Sequence, residues 1–248
     1  TPNFLHLTPG HFFMKILAVD TCTAFNAVAL CEDAAVLAET TVLCGRAHSE
    51  RLIPTVNWLL AETGLCLADV DLLAVTIGPG SFTGVRIGVA TWKGLALAAR
   101  KPLVGVPTLD AMSLLAAVSD GIVCPLLDAR MKEVYGAVYA FDGGVRRKCS
   151  PDRVGPVEAI MADFPDAPIL LGDGAAMYRD RILALRPRAR IVPPMHLNPR
   201  AAAVAQEAFH LVQSGMDTDP SHVSPVYLRQ SQAEENRARR SRPDVPVL

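Results

Sequence analysis

A glycine-rich turn between a strand and a helix is the first segment whose residue types could do chemistry. Gly78, Gly80 and Gly84 follow the apolar run 72–77 and open a helical pattern. Such a turn can bind phosphate through its backbone N–H groups and the dipole of the helix. The glycine spacing is one residue longer than in the dinucleotide fingerprint, and Pro79 removes one N–H donor. We therefore expect a tight turn and close helix packing, and phosphate binding is the alternative.

Two catalytic interpretations of the same segment fail on spacing. Lys93 precedes a glycine instead of following one, so the segment does not form a Walker-type phosphate loop. Ser81 stands one position out of register for the G-x-S-x-G nucleophile pattern, because Pro79 and Thr83 occupy the flanking positions. The dinucleotide interpretation also lacks an acidic residue to bind the ribose, because the next predicted strand, 103–106, does not end in one.

Strand-end residues in two parts of the chain could face a common cleft. Asp20 and Thr21 end the first predicted strand, and Asp128 ends a similar strand in the second half. Gly172 and Gly174 form a Gly-x-Gly turn that corresponds to the one at 78–80. These five cleft residues could hold a nucleotide, but the preference of aspartate for turns explains Asp20 and Asp128 equally well. A residual nucleotide cleft is therefore a hypothesis.

The elements that must position these residues occur in one order, twice. Strands are predicted at 14–20, 27–31, 36–39, 72–77 and 103–106, and helices at 49–63, 83–99 and 108–118. In the second half, strands are predicted at 122–127, 134–141, after the turn 142–144, at 169–171 and at 191–192, and helices at 157–161, 175–185 and 200–212.

The repeated order, βββαβαβα, predicts an α/β fold of two lobes, 14–119 and 120–230, with a cleft between them. It is the architecture of the actin-like, RNase H-like ATPases, an analogy that concerns the fold alone. In that fold the final helix, 200–212, would pack back on the first lobe.

Composition limits the function classes. A formal net charge of -1 gives no whole-protein attraction to nucleic acid or to an anionic membrane. Because no window of about 18 residues is apolar and uncharged, we expect a soluble, cytoplasmic protein without a membrane span. Residues 1–13 are expected to be a disordered leader or tag that precedes a start at Met14, and 231–248 a basic flexible tail. RNA recruitment by the tail is a weaker hypothesis that rests on Arg237, Arg239, Arg240 and Arg242.

The cysteines and histidines do not have metal-site spacing. The six cysteines include no C-x-x-C pair, so isolated buried thiols are expected. Four lone histidines are predicted to be surface or cap residues; they are His48, His196, His210 and His222. No metal site is predicted.

Seven segments resemble the TsaB family. They are MKILAVDTCT at 14–23, AHSERLIP at 47–54, GPGSFTGVRIG at 78–88, KGLAL at 93–97, PLVGVPTLDAM at 102–112, LLDARMKEVY at 126–135 and PVYLR at 225–229. The resemblance implies a non-catalytic scaffold that binds and activates TsaD in the bacterial complex that makes threonylcarbamoyladenosine in tRNA. The related catalytic TsaD proteins carry a metal-binding His-x-x-x-His, and the corresponding positions here are Thr108 and Met112. Neither side chain replaces histidine as a ligand for a hard or borderline metal.

The resemblance further implies that the chain has no catalytic residue and no cofactor of its own, with ATP and metal in TsaD. It implies a further association with TsaE, contact with tRNA mainly through the complex, and a homodimer as an option when TsaD is absent. The alternative function is an autonomous metallopeptidase-like enzyme or ATP-dependent transferase of the glycoprotease group.

The surface that would bind TsaD is predicted on two helices of the first half. Its residues recur at helical spacing and are Leu52, Val56, Leu59, Gly84, Gly88, Val89, Trp92 and Ala96. Small residues at Gly84 and Gly88 would let a partner helix come close. The competing interpretation is that both glycines pack only inside the first half.

Overall fold

The described part of the chain consists of residues 13–33, 35–45, 47–116, 120–193 and 200–229 of a computed structural model. The predicted leader up to residue 12, the helix end at Val118, His196 and the tail 231–248 lie outside these residues. Across them, no helix is both long enough and apolar enough to cross a bilayer.

Five strands form the sheet of the first lobe. They are β1 (Lys15–Asp20), β2 (Phe25–Glu32), β3 (Ala35–Leu43), β4 (Leu72–Gly78) and β5 (Leu103–Pro107), and their order across the sheet is β3-β2-β1-β4-β5. β1, β2 and β3 form an antiparallel meander, whereas β4 and β5 run parallel to β1. Because β1 and β4 are parallel neighbours, their carboxyl ends bring Asp20 and the glycine turn to one edge of the sheet.

The helices of the first lobe are α1 (His48–Thr63), α2 (Phe82–Ala99) and α3 (Thr108–Ser113). α1 and α2 cover one face of the sheet, where Leu52, Leu59 and Trp92 pack with Leu17 and Leu73. The α2 helix begins after Ser81, whose hydroxyl accepts a hydrogen bond from the Gly84 N–H at 3.3 Å. The side chain therefore satisfies one of the amide donors that a helix start leaves open.

The second lobe repeats this plan with more strands. They are β6 (Gly121–Arg130), β7 (Glu133–Gly136), β8 (Tyr139–Asp142), β9 (Val145–Lys148), β10 (Arg153–Pro156), β11 (Ile169–Leu171) and β12 (Arg190–Ile191). The main order is β10-β7-β6-β11-β12, and β8 and β9 form a hairpin that pairs with β6. The helices are α4 (Val157–Ala162), α5 (Asp173–Met177), α6 (Arg179–Leu185) and α7 (Ala201–Gln213). The predicted two-lobed α/β fold is confirmed.

Three predicted elements of the second half and its border are wrong in detail. The predicted strand 134–141 is two strands, β7 and β8. β7 pairs with β10, whereas β8 pairs with β9. The helix 175–185 is divided at Tyr178 into α5 and α6. The helix from Thr108 ends at Ser113 and continues as a short 3-10 turn.

The last helix returns to the first lobe. Val204, Ala205 and Ala208 of α7 are buried against Ala18 and Ala29 on the sheet face opposite α1 and α2. Small side chains on both elements let helix and sheet approach closely. The first sheet is thus covered on both faces, once by its own helices and once by α7.

Candidate functional site

A cavity of about 720 Å³ lies between the two lobes. Its first-lobe wall consists of the β1–β2 turn, the segment from β3 into α1, and the start of α2 with the turn before it. The residues are Cys22, Thr23, Ala24, Gly45, His48, Gly80, Ser81, Phe82 and Thr83. Its second-lobe wall is the β6–β7 turn with α5, formed by Asp128, Ala129, Arg130, Met131, Tyr135, Asp173 and Met177, and Arg229 completes the lining. The predicted cleft is therefore present, but its lining differs from the prediction.

Four of the five predicted cleft residues lie behind the walls, and only Asp128 lines the cavity. Asp20 is buried, and its Oδ1 accepts a hydrogen bond from the Cys22 N–H at 2.7 Å. Thr21 is also buried, and its hydroxyl donates to the Gly84 carbonyl at 2.7 Å. Both side chains thus serve the β1–β2 turn and its contact with α2.

Gly172 and Gly174 are buried because the turn that they form lies directly on β6. A Cβ at Gly172, where φ is +97°, would lie 2.2 Å from the Leu126 carbonyl oxygen. A Cβ at Gly174 would lie 2.9 Å from the Leu127 carbonyl carbon. Glycine is needed here for the close approach of two backbones, so these residues have a packing role.

The cavity has carboxylates at its base. Asp173 Oδ1 accepts a hydrogen bond from the Asp128 N–H at 2.9 Å, and Arg130 Nη1 pairs with Asp128 Oδ2 at 3.3 Å. Burial raises the pKa of Asp20 to about 6, and the charge of Asp173 adds to the rise. The pKa of Asp173 is raised by burial and by the charge of Asp128. The lining has two carboxylates, Asp128 and Asp173, and two guanidinium groups, Arg130 and Arg229, so their formal charges balance. The described residues include no group of three or more acidic, His or Cys side chains that could hold a metal.

The Thr108 and Met112 side chains are buried. The Thr108 hydroxyl donates to the Cys22 sulfur at 3.2 Å, and Cys22 donates to the Thr76 hydroxyl at 3.1 Å. Met112 belongs to the core next to the Gly172 turn. Thr108 and Met112, which the resemblance aligns with a metal-binding His-x-x-x-His, are therefore packed side chains in this structure.

The expectations for the histidines and cysteines need correction. His48 is buried at the start of α1, with Nδ1 2.5 Å from the Asn26 Oδ1, and burial lowers its pKa. His210 and His222 are exposed. Not all cysteines are buried: Cys22, Cys31 and Cys124 are buried, Cys44 is half-buried, and Cys66 and Cys149 are exposed.

The prediction that eight residues of α1 and α2 form a TsaD-binding surface is wrong. All eight are buried in the first lobe; they are Leu52, Val56, Leu59, Gly84, Gly88, Val89, Trp92 and Ala96. A Cβ at Gly84 would lie 1.9 Å from the Thr21 carbonyl oxygen, and one at Gly88 would lie 2.4 Å from the Thr21 hydroxyl. The small-residue stripe lets α2 approach the β1–β2 turn of its own lobe, as the competing interpretation held.

A different set of residues forms the outward faces of these helices. α1 exposes Ile53 and Trp58, with 37% and 55% of their surface accessible. α2 exposes Ala90, Gly94 and Leu97, and 64% of Leu97 is accessible. A Cβ at Gly94 would meet nothing within 4 Å. Helical periodicity identified the apolar positions but could not show that Gly84 and Gly88 face inward and that Ala90 and Gly94 face outward.

Comparison with known proteins shows which family has this arrangement. Residues 42–236 match the family model described as TsaD, tRNA N6-adenosine threonylcarbamoyltransferase. The chain is 36% identical over 226 residues to the tRNA threonylcarbamoyladenosine biosynthesis protein TsaB of Escherichia coli (strain K12), which covers 89% of this chain and 96% of the relative. The chain belongs to the TsaB family. The predicted family membership is confirmed.

Solved structures agree with TsaB-family membership. A Pseudomonas aeruginosa crystal structure, described as an uncharacterized protein with similarity to peptidase YEAZ, has a TM-score of 0.77 and 32% identity, covering 87% of this chain and 100% of that one. The ethanolamine utilization protein EutJ from Carboxydothermus hydrogenoformans has a TM-score of 0.51 at 14% identity, covering 82% and 91%. EutJ has the actin-like ATPase fold, so the predicted fold class is confirmed for this TsaB-family chain.

Sequence reasoning missed Tyr227 and Arg229. Tyr227 stacks on Phe82, which lines the cavity, and Arg229 lines the cavity itself. The available signal was their position in the segment PVYLR, which matched the TsaB family without indicating a role.

Proposed function

We propose that this chain is the non-catalytic scaffold subunit that binds and activates TsaD during transfer of a threonylcarbamoyl group to adenosine of tRNA. The observation that carries the proposal is the burial of Thr108 and Met112 at the positions where the catalytic relatives have metal-binding histidines. Thr108 is engaged with Cys22, and Met112 is part of the core. A metal at these positions would have neither a nitrogen ligand nor an open coordination site.

The outward faces of α1 and α2 support a docking role. Ile53, Trp58 and Leu97 are large apolar side chains that are exposed on these two helices. Ala90 and Gly94 on α2 are small and exposed, so a helix of TsaD could approach the α2 backbone closely. Apolar and aromatic side chains around a region of small residues are typical of the core of a protein interface.

The docking face is tested by adding bulk where the isolated chain has space. Gly94→Arg should weaken binding to TsaD at least about tenfold because the new side chain keeps the helices apart. The melting temperature should stay equal or rise, because glycine is a poor residue inside a helix. Gln206→Arg is the matched control, because Gln206 is exposed on α7 at the other face of the sheet. Both affinities are measured by titration calorimetry, and equal affinity of the two variants would refute the assignment.

The scaffold role is tested by omission. Threonylcarbamoyl transfer to tRNA is measured with this chain, TsaD and TsaE together and with each component left out. We expect TsaD to need this chain, and this chain alone to give no turnover and to retain no metal. Turnover or metal retention by the purified chain would instead favour an autonomous metallopeptidase-like enzyme or ATP-dependent transferase.

The remaining partners belong to the same proposal. ATP and metal would be bound by TsaD, TsaE would join the larger complex, and tRNA would be contacted mainly through that complex. A homodimer is an option when TsaD is absent, and the place of action would be the cytoplasm. Size-exclusion chromatography with light scattering, on the chain alone and with TsaD, reports the assembly states.

A further inference from the structure

The chain after α7 runs along the first lobe. The Leu103 N–H donates to the Thr218 carbonyl at 2.9 Å, at the edge strand β5. Lys93 of α2 donates through Nζ to the Ser221 and Val223 carbonyls at 3.2 and 2.8 Å. Val223 is buried in the core of the first lobe. This part of the segment is therefore bound to the first lobe by backbone, side-chain and apolar contacts.

The segment then reaches Phe82, a residue of the cavity lining. The Val226 N–H donates to the Ile77 carbonyl at 2.7 Å, at the end of β4. The Tyr227 ring stacks on Phe82, with centroids 4.5 Å apart and an interplanar angle of 6°. Arg86 Nε donates to the Tyr227 hydroxyl at 2.8 Å. Tyr227 is thus fastened to the first turns of α2, on the first-lobe side of the cavity.

The next two residues belong to the second lobe. Leu228 packs against the core that includes Tyr135 and Leu171. Arg229 Nη1 donates to the Glu133 carboxylate at 3.1 Å and to the Ala129 carbonyl at 3.4 Å. The chain passes from one wall of the cavity to the other within a single peptide unit, between Tyr227 and Leu228.

The second-lobe turn that Arg229 contacts has an uncommon backbone. Arg130, Met131 and Lys132 have φ values of +64°, +53° and +65°, in the left-handed region. A two-residue hairpin with both central residues at positive φ favours Asn-Gly, because side chains with a Cβ are strained there. Arg229 bridges this turn, since Nη2 also lies 2.7 Å from the Met131 sulfur. Its contacts lie on both sides of the strained residues.

We propose that residues 223–229 are a strap that holds the two walls of the cavity together, with Tyr227 as the first-lobe attachment and Arg229 as the clamp on the left-handed β6–β7 turn. Strained backbone persists where its surroundings over-determine it, and Arg229 acts here together with Asp128, whose Oδ1 accepts a hydrogen bond from the Arg130 N–H at 3.0 Å. Release of Arg229 lets the turn leave the left-handed conformation and frees the second-lobe wall. The strap is a property of the isolated chain and does not depend on the proposed function.

Hydrogen exchange of the full chain tests the strap. In Arg229→Ala the amides of 129–136 should exchange at least about tenfold faster than in the wild type, whereas those of β1 and β4 keep their rates. Arg188→Ala is the matched control, because Arg188 pairs with Asp166 on the exposed surface of the same lobe, and neither residue lies on a strand that pairs with 129–136. Unchanged exchange at 129–136 would overturn the proposal, and so would a uniform increase through both lobes. Glu133→Gln is the milder variant, and the same local but smaller increase is expected.

A double-mutant cycle tests the strain separately. Lys132→Gly should raise the melting temperature of the wild type by about 2 °C, because glycine adopts positive φ without a Cβ contact. In the Arg229→Ala background the turn has already relaxed, so the same substitution should give a smaller rise. Equal shifts in both backgrounds would show that Arg229 does not hold the turn and would overturn the proposal.

Discussion

A buried ion pair ties the second lobe to α7. Arg146 on β9 donates through Nη2 to the Glu207 carboxylate at 2.7 Å, and the Glu207 side chain is only 2% accessible. Arg146 also donates through Nη1 to the Asp110 carbonyl at 2.8 Å and to the Ser113 hydroxyl at 3.3 Å, both on α3. One guanidinium therefore connects the β8–β9 hairpin to two helices that contact the first sheet.

Arg146→Ala should destabilise the protein strongly. Removal of one partner of a buried pair leaves an uncompensated charge and typically costs about 3–5 kcal/mol. We expect the lower end, about 3 kcal/mol, because 20% of the Arg146 side chain is accessible and water can enter the space that it leaves. For a chain of this size the melting temperature should fall by roughly 6–12 °C.

The assay is thermal and urea unfolding followed by circular dichroism. Arg188→Ala is the control, because the Arg188–Asp166 pair is exposed, with 76% and 68% of the side chains accessible, and exposed pairs contribute little. Replacing both buried partners, as Arg146→Met with Glu207→Leu, should recover most of the loss because no charge remains unpaired. The reasoning is wrong if Arg146→Ala lowers the melting temperature no more than Arg188→Ala does. It is also wrong if the double variant is no more stable than Arg146→Ala.

The other predictions concern α2 and the cavity base. Gly84→Ala should lower the free energy of unfolding by about 1–3 kcal/mol, because its Cβ would overlap the Thr21 carbonyl, whereas Gly94→Ala should raise it by up to about 1 kcal/mol. The free energy of unfolding of both variants is measured in urea. Equal effects would contradict the inward orientation of Gly84. Asp20, with a folded pKa of about 6 and an unfolded value near 3.8, binds its proton more tightly in the folded state. Its contribution to stability is therefore greatest below about pH 4 and is lost as the pH rises through about 6, a change of about 3 kcal/mol. Asp20→Asn should remove this pH dependence. The free energy of unfolding is measured from pH 4 to 7 for both proteins, and an equal pH dependence in variant and wild type would refute the reasoning.

Much of the fold could be predicted from local patterns. Apolar runs bounded by turn residues predicted β1, β4 and β6 correctly. A central strand that is buried on both faces consists of nearly continuous apolar residues, so it can be recognised from the local sequence. The strand 134–141 was predicted as continuous because its alternation is unbroken, whereas in the structure its two parts pair with different neighbours. Pairing partners of that kind are distant in the chain, so no local period reports them.

The candidate site was less predictable than the fold. The strand-end rule located the cleft and Asp128 but also selected Asp20, Thr21 and two glycines that lie behind its walls. A residue at the carboxyl end of a strand lies near the cleft. Whether its side chain lines the cavity depends on which other residues pack between that side chain and the cavity. For Asp20 this is the β1–β2 turn itself, through the Cys22 N–H.

The sequence by itself determined the two-lobed α/β class through its periodicity, and the family through the resemblance of seven segments. The same resemblance placed Thr108 and Met112 at metal-ligand positions, and residue chemistry makes both unsuitable as ligands. The tertiary structure alone decided that Gly84 and Gly88 of α2 face inward. That choice rests on a contact between Gly84 and Thr21, which are 63 positions apart. It also decided that the last residues of the described chain bridge the lobes, because a strap exists only when Phe82, Tyr227 and Arg229 are brought to one cavity by folding.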